Sequence, residues 1–90
     1  MPQETLKIEL FGAFKRFGTN GFVDLEVTLP IMIRDLRQVL ADHLSETHDG
    51  FSREGLYKVS AFATDTAVLP AGAIIDVPTR LAVIPPVSGG

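Results

Sequence analysis

Two stretches near the start of the chain alternate between apolar and polar residues. They cover residues 6–10 and 22–29, where leucine, isoleucine and valine alternate with charged residues or threonine. Because successive side chains of a strand point to opposite faces, each stretch predicts a half-buried β-strand. Asn20-Gly21 between them is typical of a tight turn, since both residue types tolerate positive φ, and Pro30 ends the second strand. We therefore expect an antiparallel hairpin whose inward residues are Leu6, Ile8, Leu10, Val23, Leu25, Val27 and Leu29.

The spacing of apolar residues changes after Pro30. Over residues 33–44 they recur every three or four positions, which places them on one stripe of a helix. The stripe consists of Ile33, Leu36, Val39, Leu40 and Leu44. Residues 45–55 are mainly polar and contain two glycines, so they predict a loop.

The second half of the chain predicts three further strands. Residues 56–62 predict the first, with Tyr57, Val59 and Ala61 on one face and Lys58, Ser60 and Phe62 on the other. Residues 67–69 predict a short strand, and residues 70–79 are interrupted by Pro70, Gly72 and Pro78 and predict an irregular segment. Residues 81–84 predict the last strand, with Leu81 and Val83 on one face and Ala82 and Ile84 on the other.

The order strand, strand, helix, strand, short strand, strand predicts an α+β fold in which one main helix packs on one face of a mixed sheet. An initial hairpin followed by a helical crossover and returning strands is typical of the β-grasp, or ubiquitin-like, fold. We expect residues 1–84 to form this β-grasp domain and residues 85–90 to form a flexible, extended C-terminal tail.

Composition narrows the possible functions. Ninety residues, 46% hydrophobic and 21% charged, fit one globular domain. The absence of cysteine excludes a disulfide scaffold, a zinc-thiolate site and a cysteine nucleophile, and makes a cytoplasmic location the default expectation. Scattered basic residues at a net charge of −3 give no reason to expect nucleic-acid binding. No apolar run approaches the roughly 20 residues that cross a membrane, and the polar N-terminus, Met1-Pro2-Gln3-Glu4, does not resemble a signal peptide.

Familiar catalytic patterns are not found in this sequence. His43 and His48 have no third metal ligand at a suitable spacing, so no metal site is expected. No serine has a histidine at a spacing that supports a hydrolytic triad. No glycine-rich phosphate loop opens a helix. We therefore expect ATP, if the function uses it, to bind a partner protein.

The C-terminal residues suggest a different chemistry. Pro85 and Pro86 have no backbone N–H to donate, so the last strand should end there and leave the domain in an extended conformation. Ser88-Gly89-Gly90 has almost no side-chain bulk and could enter a narrow channel. The terminal carboxylate is ionised at neutral pH and is a poor electrophile, but an acyl-adenylate would be open to attack by a sulfur donor. The product, a thiocarboxylate, is a sulfur nucleophile comparable to a thiolate.

The run Pro85-Pro86-Val87-Ser88-Gly89-Gly90 resembles the C-terminal signature of the MoaD-type small subunit of molybdopterin synthase, a MoaD/ThiS-type sulfur carrier. The resemblance implies that an E1-like, MoeB-type enzyme holding ATP and zinc adenylates the last glycine, and that a sulfur donor converts it to a thiocarboxylate. The tail would then enter the large, MoaE-type subunit and donate sulfur to precursor Z, which forms the dithiolene of molybdopterin. Gly90 would carry the adenylate and the thiocarboxylate, Gly89 and Ser88 would thread the channel, and Pro85, Pro86 and Val87 would direct the tail.

The same resemblance implies an apolar partner-binding face on the sheet beside the tail. By strand phase, Ala82 and Ile84 should lie on the face opposite the helix, and Phe11 should join them. The protein would act as a co-substrate and not as a catalyst alone, with no cofactor of its own. Three other hypotheses remain at this stage: a sulfur carrier for thiamine, cysteine or tRNA thiolation; a ubiquitin-like modifier conjugated through Gly90; and a β-grasp binding module without tail chemistry.

Overall fold

The computed structural model describes residues 3–48, 50, 51, 57 and 60–85. The described residues include seven strands, one α-helix and a 3-10 helix between the first two strands. The strands are β1 (Gln3–Leu10), β2 (Phe22–Thr28), β3 (Ile31–Met32), β4 (Ala61–Ala63), β5 (Val68–Leu69), β6 (Ile74–Ile75) and β7 (Leu81–Ile84). The α-helix, α1, is Ile33–Thr47, and the 3-10 helix is Gly12–Phe17.

Five strands form one mixed sheet in the order β2-β1-β7-β4-β5. β1 is antiparallel to β2 and parallel to β7, while β4 is antiparallel to both β7 and β5. β3 and β6 pair separately as a two-stranded ribbon. The first and last strands of the domain therefore lie side by side in the centre of the sheet.

The predicted hairpin is confirmed in its antiparallel pairing, its turn and its inward face. Asn20 and Gly21 have φ of 54° and 83°, the left-handed conformation that the turn requires. All the residues predicted to face the core are buried except Leu29, which is partly buried and packs against the core. The helix is also confirmed, and it extends beyond the predicted end to Thr47.

α1 covers one face of the sheet with a buried stripe that includes Leu36, Leu40 and Leu44. No side chain caps its N-terminus. Instead, the Ile33 and Arg34 N–H groups donate to the carbonyls of Ala73 and Ala71, at 2.8 and 3.0 Å. These bonds satisfy donors that have no partner within the helix. Residues 70–79, predicted to be irregular, therefore contain strand β6 and cap the helix.

The third predicted strand, residues 56–62, is wrong in its bounds. The described strand is β4 at Ala61–Ala63, and Tyr57 and Phe62, predicted on opposite faces, are both buried. A network around Arg37 holds the backbone before β4, since its guanidinium donates to the carbonyls of Tyr57 and Ser60 at 2.9 and 2.7 Å. Neither Tyr57 nor Ser60 lies in a strand, and the predicted strand residues 56, 58 and 59 lie outside the described residues.

The 3-10 helix was not predicted. It buries Phe14 and Phe17, whose rings make edge-to-face contacts with Tyr57 and Phe51 at centroid distances of 6.0 and 5.4 Å.

In the described part of the chain, no helix is long and apolar enough to span a membrane.

Candidate functional site

The base of the C-terminal tail is held against the end of β1. The Phe11 N–H donates to the Val83 carbonyl at 3.2 Å, which continues the contact between β1 and β7 beyond their paired residues. Gly12 follows with a φ of +59°, and a Cβ at this glycine would lie only 2.7 Å from Cγ of Pro85. The half-buried Pro85 ring therefore packs on a position that has room for glycine alone.

This contact positions the first tail residue, Pro85, beside the sheet. The other predicted tail residues, Pro86, Val87, Ser88, Gly89 and Gly90, lie outside the described residues. Gly12 was missed by sequence reasoning, because a glycine gives no periodic signal and its partner lies far along the chain. Its contact with Pro85 joins the end of β1 to the first residue of the tail.

The structure brings Phe11, Ala82 and Ile84 together on the sheet face opposite α1. Leu81 and Val83 of β7 are buried under the helix, so their neighbours Ala82 and Ile84 point the other way. Phe11 is 40% exposed and Ile84 is 37% exposed. All three line one open depression of about 220 Å³.

Three further apolar residues on neighbouring strands extend this surface. In the sheet register, Ala61 lies opposite Ile84, Ala63 opposite Ala82, and Val68 opposite Ala63. Val68 is 66% exposed at the edge of the sheet, whereas Ala63 is buried in the depression. We call these six residues the outer-face patch: Phe11, Ala61, Ala63, Val68, Ala82 and Ile84. Sequence reasoning missed Ala61, Ala63 and Val68 because their place beside Ala82 and Ile84 depends on the pairing of β7, β4 and β5, which local alternation does not specify.

Charged side chains of both signs border the patch. Nη2 of Arg80 lies 3.4 Å from Oε1 of Glu9, which is the cross-strand neighbour of Ala82. The Arg80 guanidinium also lies 5.2 Å from the Phe22 ring centroid, and Asp65 lines the depression. An exposed ion pair of this kind adds little stability, about 0–1 kcal/mol. An apolar centre with a charged border is typical of a protein-binding surface.

Groups of metal ligands are not found among the described side chains: no three His, Cys, Asp or Glu residues come together to hold an ion. His43 lies on α1, while the His48 ring packs edge-to-face against Phe17 at 5.3 Å.

Comparison with known structures supports the same architecture. The chain is similar to the crystal structure of SAMP1 from Haloferax volcanii, with a TM-score of 0.67 over 97% of this chain and 100% of that chain. The fold is the ubiquitin-like β-grasp. The two sequences are 22% identical, so the similarity concerns the fold. No protein-family model matches the chain, and no curated protein is significantly similar to it.

Proposed function

We propose that this protein is a sulfur carrier, the small subunit of a molybdopterin synthase, and that it carries sulfur on Gly90. The observation that supports this most directly is the run Pro-Pro-Val-Ser-Gly-Gly immediately after the last strand of a ubiquitin-like β-grasp. Pro85 begins that run, and its ring packs on Gly12. An extended tail that starts from an anchored residue would deliver its last atom to a partner in a defined direction.

The proposed chemistry has three steps. The Gly90 carboxylate attacks the α-phosphate of ATP on a MoeB-type partner, which would also hold the zinc, and pyrophosphate leaves. Sulfide, as the sulfur donor, then attacks the acyl carbon and displaces AMP, which leaves a thiocarboxylate. In the active site of a MoaE-type subunit the thiocarboxylate sulfur attacks a carbon of precursor Z and displaces the oxygen substituent of that carbon. Water then cleaves the acyl–sulfur bond, which restores the Gly90 carboxylate and leaves the sulfur on the product, and two loaded carriers in turn supply the two sulfurs of the dithiolene.

The outer-face patch would bind the large subunit. Its exposed members Phe11 and Ile84 are neighbours at the ends of adjacent strands, and the small residues Ala61 and Ala82 lie beside Ile84, so an apolar side chain of the partner could pack against the pair above the alanines. The patch includes Ile84, the residue before Pro85, so binding there would place the tail at the partner's active site. Ser88 and Gly89, with little bulk, would pass through the channel to the reacting centre.

Intact-mass spectrometry tests the proposal. The purified protein is incubated with its cognate adenylating enzyme, ATP and sulfide, and the expected product is heavier by the difference between one sulfur and one oxygen atom. Adding the MoaE-type subunit and precursor Z should then restore the original mass and produce molybdopterin.

Other products of the same reaction would identify the remaining hypotheses. Sulfur loading without transfer to precursor Z would favour a carrier for thiamine, cysteine or tRNA thiolation. Covalent adducts on lysine amines would favour a ubiquitin-like modifier conjugated through Gly90. No change of mass with the cognate enzyme would favour a binding module without tail chemistry and would overturn the proposal.

A further inference from the structure

β2 is an edge strand with hydrogen-bonding groups directed away from the sheet. The Leu10 N–H donates to the Gly21 carbonyl at 2.7 Å, and bonded pairs alternate along an antiparallel ladder. From this alternation Val23, Leu25 and Val27 bond to β1, while the N–H and C=O groups of Asp24 and Glu26 point outward. In the part of the chain that the structure describes, no strand pairs with this outer side.

The hydrogen bonds of Phe22, at the start of β2, confirm which residues of the strand point away from β1. Phe22 belongs to the outward set, and its N–H and C=O both bond to Thr19 across the turn, at 3.0 and 2.8 Å. The turn thus occupies the start of the edge and leaves its middle open. An open edge of this kind is a template for an added strand.

A groove runs beside this edge, between β2 and α1, with a volume of about 360 Å³. Leu25, which is buried, and Val39, which is partly buried and packs against the core, provide its apolar lining. An added strand would direct every second side chain toward this lining. Pairing through the backbone and apolar contacts along one side would therefore be available together.

The charge around the groove selects the occupant. Asp24, Glu26, Asp42 and Glu46 line it, together with His43. A second copy of β2 would place carboxylates near carboxylates, which is unfavourable, so these residues oppose self-association. A strand bearing lysine or arginine would meet charges of the opposite sign.

We propose that the β2 edge binds an extended, lysine- or arginine-containing peptide segment of a partner protein by strand addition. β1 separates this edge from β7 and the base of the tail, so the site is distinct from the outer-face patch. Partner binding at the edge could therefore occur while the tail is engaged elsewhere. The inference does not depend on sulfur chemistry at Gly90.

The direct test is an NMR titration of the ¹⁵N-labelled full-length chain. The probe is an N-acetylated, C-amidated peptide, Lys-Val-Lys-Val-Lys-Val-Lys, and its control carries glutamate in place of each lysine. We expect shifts on β2 and the adjacent side of α1, slower amide exchange at Asp24 and Glu26, and binding that weakens as salt is added. The glutamate peptide should bind at least about tenfold more weakly.

Substitutions at two sites separate the edge from the charge. Glu26→Pro removes one outward N–H together with the carboxylate, and edge strands accept proline where the N–H faces away from the sheet. Glu26→Gln, which removes the charge and keeps the N–H, is its control. The proline variant should bind the peptide about tenfold more weakly than the glutamine variant, the effect of one lost hydrogen bond of about 1.4 kcal/mol. The double variant D42N/E46Q leaves β2 unchanged and removes two negative charges, so it should weaken binding about threefold to tenfold. The effect is limited because both residues lie at exposed positions of α1, where solvent screens their charges.

The proposal would be overturned by shifts that lie away from β2, by equal binding of the glutamate peptide, or by normal binding to both Glu26→Pro and D42N/E46Q. Self-association through β2 would overturn it as well. A chain lacking Gly90 should bind the peptide normally. Loss of sulfur loading with retained peptide binding would therefore count against the proposed carrier function alone.

Discussion

Gly12 lies where the end of β1 meets the first residue of the tail. Its positive φ is unfavourable for a residue with a Cβ, and Pro85 occupies the space that a Cβ would need. Arg37 has a comparable role on the other side of the core, where its guanidinium joins the helix to the backbone before β4. Each residue holds together segments that are distant in sequence.

Replacing Gly12 with alanine should destabilise the fold by about 1–3 kcal/mol, because it adds backbone strain and forces Pro85 to move. Urea unfolding measures the loss, and NMR shifts of Phe11 and Ile84 report the displacement. Gly72→Ala is the matched control, since nothing lies within 4 Å of its Cβ position. Equal stability of the two variants would contradict the proposed contact.

Arg37→Lys should lower the free energy of unfolding by about 1–3 kcal/mol. Lysine cannot reproduce the fork of donors that reaches the Tyr57 carbonyl and both oxygens of Ser60. Arg34→Lys on the same helix is the control, because Arg34 is exposed and its side chain donates to the nearby Met32 sulfur at 3.2 Å. If both variants unfold at the same urea concentration, the Arg37 network has no special importance.

Among the elements, β7 links the core to the proposed chemistry. One face of the strand is buried beneath α1, and the other carries Ala82 and Ile84 into the outer-face patch. Its parallel pairing with β1 places Phe11 beside Ile84. A short strand of four residues thereby determines both where the patch lies and where the tail begins.

Ile84→Lys should weaken association with the large synthase subunit by about tenfold or more, because a charge replaces a central apolar contact. Isothermal titration calorimetry measures the affinity. Ile74→Lys is the matched control, since Ile74 is an exposed isoleucine on β6, outside the five-stranded sheet. Equal affinities for wild type and Ile84→Lys would show that the large subunit binds elsewhere.

At the scale of the whole molecule, the core of the described residues ends in sequence before the proposed reactive end of the chain. All the buried apolar residues of the described core lie between Leu6 and Val83 in sequence. Changes at the last residue should therefore affect chemistry and leave folding intact. The outer-face patch and the β2 edge are likewise surface features added to a common core.

Deleting Gly90 should abolish thiocarboxylate formation and change the free energy of unfolding by less than about 0.5 kcal/mol. Intact-mass spectrometry after incubation with the activating enzyme, ATP and sulfide measures the first effect, and urea denaturation measures the second. Sulfur loading at normal yield in the shortened chain would show that Gly90 is not the carrier residue. Loss of cooperative unfolding would show that the tail contributes to the fold.

The sequence by itself determined the elements whose signal is local. Alternation placed the inward faces of β1 and β2, three- and four-residue spacing placed α1, and Asn20-Gly21 marked the turn. The same alternation assigned Ala82 and Ile84 to the face opposite the helix. These patterns are readable because each side chain's direction follows from its immediate neighbours along the chain.

Only the tertiary structure decided which distant residues meet. The carbonyls of Ala71 and Ala73 cap α1, Arg37 donates to the Tyr57 and Ser60 carbonyls, and Pro85 packs on Gly12. Ala63 and Val68 join the patch through the order of strands, which no local pattern specifies. Such contacts depend on bringing together segments that are far apart in the chain, and the hydrophobic period of a single element carries no information about that approach.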